Sequence, residues 1–175
     1  MVFDTALINK MKRGEQAAFS LCYQLLSPVI YSSVLRVCHC KNSAQDILQE
    51  TFIEIYKNLD TLNDEGSFVA WCKRIGYYKT ISWIRKNKKH ISEADQSDEL
   101  IDKSDLQVSI ENNHQLTRLM LKITPESRLI LWLFIVDGYS HAEIAAMHGK
   151  TESFSKSIVS RALKKLSNEE PVHEK

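Results

Sequence analysis

Two stretches of this sequence hold residue types that could act on a polyanion. Between Gly66 and Ser92 there is no acidic residue, while Lys73, Arg74, Lys79, Arg85, Lys86, Lys88 and Lys89 carry positive charge. That is the electrostatic footprint of a nucleic-acid partner. Trp71, Tyr77, Tyr78 and Trp83 interleave with these cations. Aromatic rings stack on unpaired bases while Lys and Arg follow the phosphates, which is how a single strand is held. The alternative is a solvated basic face over a core that contains Trp71 and Trp83, and the pattern by itself leaves both open.

The second stretch is Ser153, Ser155, Lys156, Ser157, Ser160 and Arg161. These side chains are short or basic, as a helix laid into the major groove requires. The elements that would position them are legible. Thr124 followed by Pro125 starts a helix, with a capping residue and then proline at the first helical position. Leu129, Ile130, Leu133 and Phe134 form its apolar stripe, and Asp137 with Gly138 ends it. Ser140 and Glu143 make a capping box for a short helix over Ala142 to Met147. Gly149 supplies a turn, and a longer helix runs from Glu152 to Leu166 with Thr151 as its cap. Short helix, glycine turn and longer helix make a helix-turn-helix pattern. The alternative is an ordinary helical hairpin whose polar face meets water.

Between these stretches and the N-terminus, Ser43 to Leu59 is the clearest periodic run. Leu48, Phe52, Ile55 and Leu59 recur at the spacing of a buried helical stripe, with Ser43 placed to cap the start. Asp46, Gln49, Glu50, Ile53, Glu54 and Lys57 fall on the other side, an acidic face whose plain reading is solvated surface. Upstream, Arg13 to Leu26 reads as a helix with Ala18, Leu21, Cys22 and Leu25 inward. A second helix follows Pro28 and carries Val29, Ile30, Val34, Leu35 and Val37. Asp60, Asn63, Asp64, Glu65 and Gly66 signal a loop, after which Phe68 to Lys86 resumes as a helix with Phe68, Trp71, Ile75, Ile81 and Ile84 inward.

Composition frames these elements. Of 175 residues, 43% are hydrophobic and only 5 are Gly and 3 Pro, which favours an all-α fold of long helices over strands and turns. The net charge of +1 hides a strong asymmetry. After the basic stretch, Glu93, Asp95, Asp98, Glu99, Asp102, Asp105 and Glu111 are opposed only by Lys103, which reads as a flexible, solvated linker. The expected organisation is two small helical domains, 1–90 and 114–168, joined by an acidic linker over 91–113 and followed by a tail over 169–175. Met1 to Lys12 lacks the apolar run of a secretory signal, and no stretch approaches the roughly 20 apolar residues needed to cross a bilayer, so a cytoplasmic protein with no membrane insertion is expected. Four scattered cysteines do not form a secreted disulfide framework. Cys38-His39-Cys40 lacks a second Cys/His pair for a tetrahedral site, so neither metal nor cofactor is expected. No phosphate-binding glycine loop, nucleophile elbow or zinc-protease helix is present, so no enzymatic activity is expected.

In combination these residues resemble the extracytoplasmic-function sigma factors of the sigma-70 family. Arg13-Gly14-Glu15 with Ala18-Phe19, Ala44 to Phe52, Gly66-Ser67-Phe68 with Trp71, and Arg74-Ile75 are similar to segments of the family's region 2. Gly138-Tyr139-Ser140 with Glu143-Ile144-Ala145, and Arg161-Ala162 with Lys164-Lys165-Leu166, are similar to its region 4. The resemblance implies that Asp46, Gln49, Glu50, Ile53 and Glu54 dock on the clamp helices of the largest subunit of core RNA polymerase. It implies that Leu62, Asn63 and Ser67 with Lys73, Arg74, Tyr77, Tyr78, Lys79, Arg85, Lys86, Lys88 and Lys89 capture the melted non-template strand at the minus-10 element of promoter DNA, with one base flipped into the loop. Ser140, His141, Ser153, Phe154, Ser155, Lys156, Ser157, Ser160 and Arg161 would read the minus-35 element. The implied partners are core polymerase, including its flap region, promoter DNA and an anti-sigma factor. The sequence departs from the family at Tyr78 (commonly Asn), Ser82 (commonly Asp), Phe154-Ser155 (commonly Thr-Val) and Ile158 (commonly Arg), so no promoter sequence carries over. Two other functions fit the motifs: a stand-alone helix-turn-helix regulator, and a polymerase-binding adaptor that has lost promoter recognition.

Overall fold

A computed structural model describes residues 3–62, 67–94 and 114–168, with side chains described throughout except at 88–94 and 114–117. Every regular element among the described residues is helical. The chain divides into two compact units, 1–97 and 98–175. The acidic linker expected at 91–113 falls across that division, and its residues 95–113 lie outside those described.

The first unit is a bundle of α1 (Thr5–Lys12), α2 (Gln16–Cys38), α3 (Lys41–Asn58) and α4 (Phe68–Ala94), with a 3-10 turn over Leu59–Thr61. Helix α1 was not anticipated. Asp4 caps it by accepting from the Ala6 amide at 3.1 Å, and it buries Ile8 and Met11. Helix α2 corrects a second expectation, because Pro28 lies inside it and joins the two segments read as separate helices. An interior proline costs about 3 kcal/mol or more through a lost hydrogen bond and a ring clash. Leu26, Ile30, Val34 and Val37, buried on either side of it, each return roughly 1.5–3 kcal/mol, so packing outweighs the break.

Continuity through Pro28 also selects which face is inward. Ile30 and Val34 extend the stripe Ala18, Cys22 and Leu26, and this stripe is buried. Leu21 and Leu25, expected inward, are 44% and 38% exposed. By length and apolarity the fused helix could cross a bilayer, which the segmented reading did not foresee. Its inward face is built into the bundle against α1, α3 and α4.

His39 ends α2 in the left-handed region at φ 52°, its amide donating to the Leu35 carbonyl at 2.8 Å. Cys40 precedes α3, so Ser43 sits within the first turn and does not cap it. Leu48, Phe52, Ile55 and Leu59 are buried as expected. Helix α4 runs close to α2. A Cβ placed on Gly76 would lie 3.3 Å from Ile30 Cγ2, a tight approach, and 3.7 Å from Thr51 Cγ2, an ordinary contact, so glycine is favoured here by space, not by φ.

The second unit comprises α5 (His114–Leu121), α6 (Pro125–Leu131) running into a π-helical turn (Trp132–Val136), α7 (His141–His148) and α8 (Glu152–Ser167). Thr124 caps α6 by accepting from the Ser127 amide at 3.2 Å. The π turn, closed by the Asp137 amide on the Trp132 carbonyl at 3.2 Å, was not anticipated. Gly138 at φ +72° then reverses the chain. Ser140 and Glu143 form the expected capping box: Ser140 Oγ accepts from the Glu143 amide at 3.2 Å, and the Glu143 carboxylate accepts from the Ser140 amide at 2.8 Å. Gly149, at φ +64°, closes α7 with two tight backbone bonds, its own amide to Ala146 and the Lys150 amide to Ala145. Leu129, Ile130, Leu133, Ile144 and Val159 are among the buried residues of this unit.

Candidate functional site

In the first unit the two charged faces lie on adjacent helices. On α3, Asp46, Gln49, Glu50 and Ile53 are exposed, opposite the buried stripe. Beside them an aromatic cluster joins α2 to α3: Tyr23 packs on Phe52 at 4.6 Å between ring centroids, and Phe19 meets Tyr56 edge-on at 5.0 Å. Tyr56 is 62% exposed and Ile53 53%, so the acidic face carries apolar contact area. The sequence reading missed Tyr23 and Tyr56. The available signal was an aromatic three residues from Ile53 on a face otherwise polar.

Glu54 does not join that face. Its Oε2 is 2.9 Å from Lys79 Nζ on α4, and its Oε1 accepts from Asn58 Nδ2 at 2.8 Å. The Lys79 hydrogen bond, with its charge, holds the Glu54 carboxyl below its ordinary value. Two residues assigned to different partners are therefore bonded to each other.

Helix α4 separates the expected strand-binding residues into kinds. Arg74, Tyr78, Arg85 and Lys86 are exposed, and Lys73 is half-buried. The Arg74 guanidinium lies 5.7 Å from the Tyr78 ring centre and donates to its hydroxyl at 3.3 Å. Tyr77 is 4% exposed and is a core residue, so it cannot stack on a base. The alternation of aromatic and basic residues in sequence does not reveal which rings a helix turns inward. Leu62 is likewise buried, and its carbonyl accepts from Lys12 Nζ at 3.1 Å, which fixes the chain where it leaves the 3-10 turn. Ser67 is half-buried at the start of α4. Asn63 lies outside the described residues, as do the side chains of Lys88 and Lys89.

A pocket of about 410 Å³ opens between the end of α3, the 3-10 turn and α4. Trp71, Ile75 and Tyr78 give it apolar walls, and Glu54, Asn58, Thr61, Lys79 and Ser82 give it polar ones. Thr61 is set by its hydroxyl donating to the Asn58 carbonyl at 2.6 Å. Asn58 and Thr61 were absent from the sequence reading because they belong to the pocket only through the fold.

Cys22 and Cys72 are fully buried in this unit, and desolvation raises both thiols, Cys22 to about 11. Such thiols stay protonated and unreactive.

The second unit presents α8 over α7. Ser153, Lys156, Ser157, Ser160 and Arg161 are exposed on one side of α8. Lys156 Nζ pairs with Glu152 Oε1 one turn earlier at 2.7 Å, and Arg161 Nε donates to the Ser157 carbonyl at 3.1 Å. Ser155 is fully buried, its hydroxyl 3.0 Å from His141 Nδ1, so it ties the two helices together and cannot touch DNA. His141 stacks on Phe134 at 4.3 Å. Phe154 is half-buried against His148, with ring centroids 5.5 Å apart. Ile158 is buried, so its departure from the family changes the core beneath the helix, not its outer face. Ser140 remains exposed but is engaged in the capping box.

A family model for sigma-70 region 2 matches residues 22–90, and one for sigma-70 region 4 matches residues 113–166. Among curated proteins, the ECF RNA polymerase sigma factor SigW of Bacillus subtilis is 29% identical over 150 residues, spanning 78% of this chain and 80% of its own length. SigX of the same organism is 26% identical over 160 residues, 86% of this chain and 82% of its own length. The fold is also that of the sigma factor RpoE from Bartonella quintana, solved in complex with the anti-sigma factor NepR, with a TM-score of 0.60, 19% identity, and coverage of 89% of this chain and 98% of that one. CnrH, solved with the cytosolic domain of CnrY, aligns with a TM-score of 0.59, 21% identity, and coverage of 93% and 94%.

Proposed function

The chain belongs to the sigma-70 family, in its extracytoplasmic-function group, and from that premise we propose how its surfaces divide the work of starting transcription. As a sigma factor it binds core RNA polymerase and directs promoter-specific initiation, a regulator's task that takes place in the cytoplasm with polymerase. The exposed acidic and apolar face of α3, with Asp46, Gln49, Glu50 and Ile53, docks on the clamp helices of the largest subunit. The outer side of α4, with Lys73, Arg74, Tyr78, Arg85 and Lys86, tracks the melted non-template strand at the minus-10 element, and the adjoining pocket takes one unstacked base. Stacking there offsets part of the unstacking cost, a few kcal/mol per extruded base.

In the second unit, Ser153, Lys156, Ser157, Ser160 and Arg161 face the major groove at the minus-35 element, with residues 91–113 as the acidic connector between domains 1–90 and 114–168. Ile135 and Val136, 59% and 56% exposed after the π turn, offer an apolar contact to the polymerase flap region. An anti-sigma factor is a further partner, by analogy with the RpoE structure solved with NepR.

The observation that carries this reading is the segregation of charge within one bundle: acidic on α3, basic on α4, each clear of the core. Asp46→Arg with Glu50→Arg should abolish binding to core polymerase while changing stability by no more than about 0.5 kcal/mol, as exposed substitutions do. Affinity for core, read by fluorescence anisotropy beside a denaturation curve, checks both halves. Unchanged affinity would remove the docking assignment.

A further inference from the structure

We propose that Lys79 reads a base and not a phosphate, and that Glu54 is the positioning residue that holds it to that task. The proposal rests on the reading of α4 and its pocket as the single-strand site. It changes the role of both residues within it.

Three observations point the same way. First, Lys79 stands apart from the exposed cations of α4, because it is only 26% exposed and lies in the pocket wall. Second, its ammonium is anchored. Glu54 Oε2 takes it at 2.9 Å, and the carboxylate is itself fixed from the other side, since Asn58 Nδ2 donates both to Glu54 Oε1 at 2.8 Å and to the Glu54 carbonyl at 2.9 Å. Third, the rest of the pocket wall suits a flat ring: Trp71, Ile75 and Tyr78 are apolar or aromatic, and Thr61 and Ser82 are small hydroxyls.

Charge decides between the two ligands. The Glu54–Lys79 pair sums to zero, so a phosphate approaching the ammonium meets the carboxylate at nearly the same distance and gains little. A neutral base meets no such opposition. An ammonium carries three N–H donors, and with one committed to Glu54 the others remain for a ring carbonyl or ring nitrogen. Arg74, Arg85 and Lys86 lie exposed on the same helix and can follow the backbone. The helix thus places cations for phosphates on its outer side and a neutralised donor for a base in the pocket.

The test uses the polymerase holoenzyme and a pool of forked duplexes randomised over a short unpaired strand, sequenced before and after capture. Salt dependence is measured on the best sequence recovered. Lys79→Met should flatten the base preference at one strand position, from about fivefold to less than twofold, the size of one hydrogen bond. In the double variant Lys79→Met with Glu54→Gln, which keeps the site neutral as the pair does, the slope of log K against log salt should stay unchanged although a lysine is gone. Glu54→Gln should free the ammonium for the backbone: the slope steepens by about 0.7, the value per phosphate neutralised on a single strand, and preference falls at the same position. Affinity for core polymerase should not move. A slope shallower by about 0.7 in that neutral double variant, with preference intact, would make Lys79 a phosphate contact and overturn the proposal. Loss of core binding in Glu54→Gln would return Glu54 to docking and overturn it also. A wild-type protein that captures no strand together with core overturns the underlying reading and the proposal together. Capture with a preference indifferent to Lys79 overturns the proposal alone.

Discussion

Each unit of this protein holds a lysine in an ion pair with a glutamate, but the glutamates come from different places. In the first unit Lys79 reaches Glu54 on another helix, 25 residues away in sequence. In the second, Lys156 reaches Glu152 one turn back on its own helix. The contrast extends to other devices. Gly76 lies where the Ile30 side chain of α2 leaves little room for a Cβ, whereas Gly138 and Gly149 have open space but a positive φ. The first unit is organised by contacts distant in sequence, the second to a greater degree by local ones: a capping box, left-handed glycines and an i,i+4 pair.

The largest test of that contrast is Phe68→Ala. Phe68 is 1% exposed at the start of α4, 5.1 Å from the ring of Phe3 near the other end of the unit's sequence. Its loss should cost about 3–5 kcal/mol. Hydrogen exchange on the full chain should show protection falling in α1 as well as α4, while α6 to α8 stay protected. In the second unit the local devices give smaller steps. Gly149→Ala should cost about 1–2 kcal/mol for the left-handed backbone alone, since there is space for the methyl group. Ser140→Ala removes the cap of α7 and should cost about 1 kcal/mol. Thermal denaturation of the full chain ranks the two.

The smallest effect concerns the ion pairs. Both Glu54 and Glu152 titrate below their ordinary 4.5, each chiefly through the hydrogen bond from its lysine. A depressed folded-state value means that each pair stabilises above the unfolded carboxyl range, and that this contribution is lost as pH falls through the folded value. Carboxyl NMR titrations should show both depressions shrinking when the partner lysine becomes Met, with Asn58 still holding part of the Glu54 shift. Added salt should erase the Glu152 shift before the Glu54 shift. Its pair is the more exposed, with side-chain exposures of 59% and 50% against 26% and 40%.

The same contrast explains what could be read from sequence. The caps at Thr124 and Ser140, the stop at Gly138 and the turn at Gly149 are set by residues within a few positions of one another, and the structure has each where the spacing places it. The first unit yielded less. Helix α2 continues through Pro28 because of residues packed against it from other helices, and that continuity turned Leu21 and Leu25 outward. Tyr77 looked like part of the basic aromatic surface until the helix face was known. Ser155 is the exception in the second unit, a short polar residue that fits a groove-reading pattern in sequence but is spent on His141. The family resemblance was legible throughout, because charge and motif order survive such errors. The partition of individual residues between core and surface was not.

Gly76 has a further consequence. The acidic surface of α3 and the basic surface of α4 belong to one compact unit, and α4 approaches α2 and Thr51 where residue 76 has no side chain. A methyl group at that point would press on the Ile30 side chain and ask it to give by a few tenths of an ångström, so the packing of α4 on α2 is finely set at this one position.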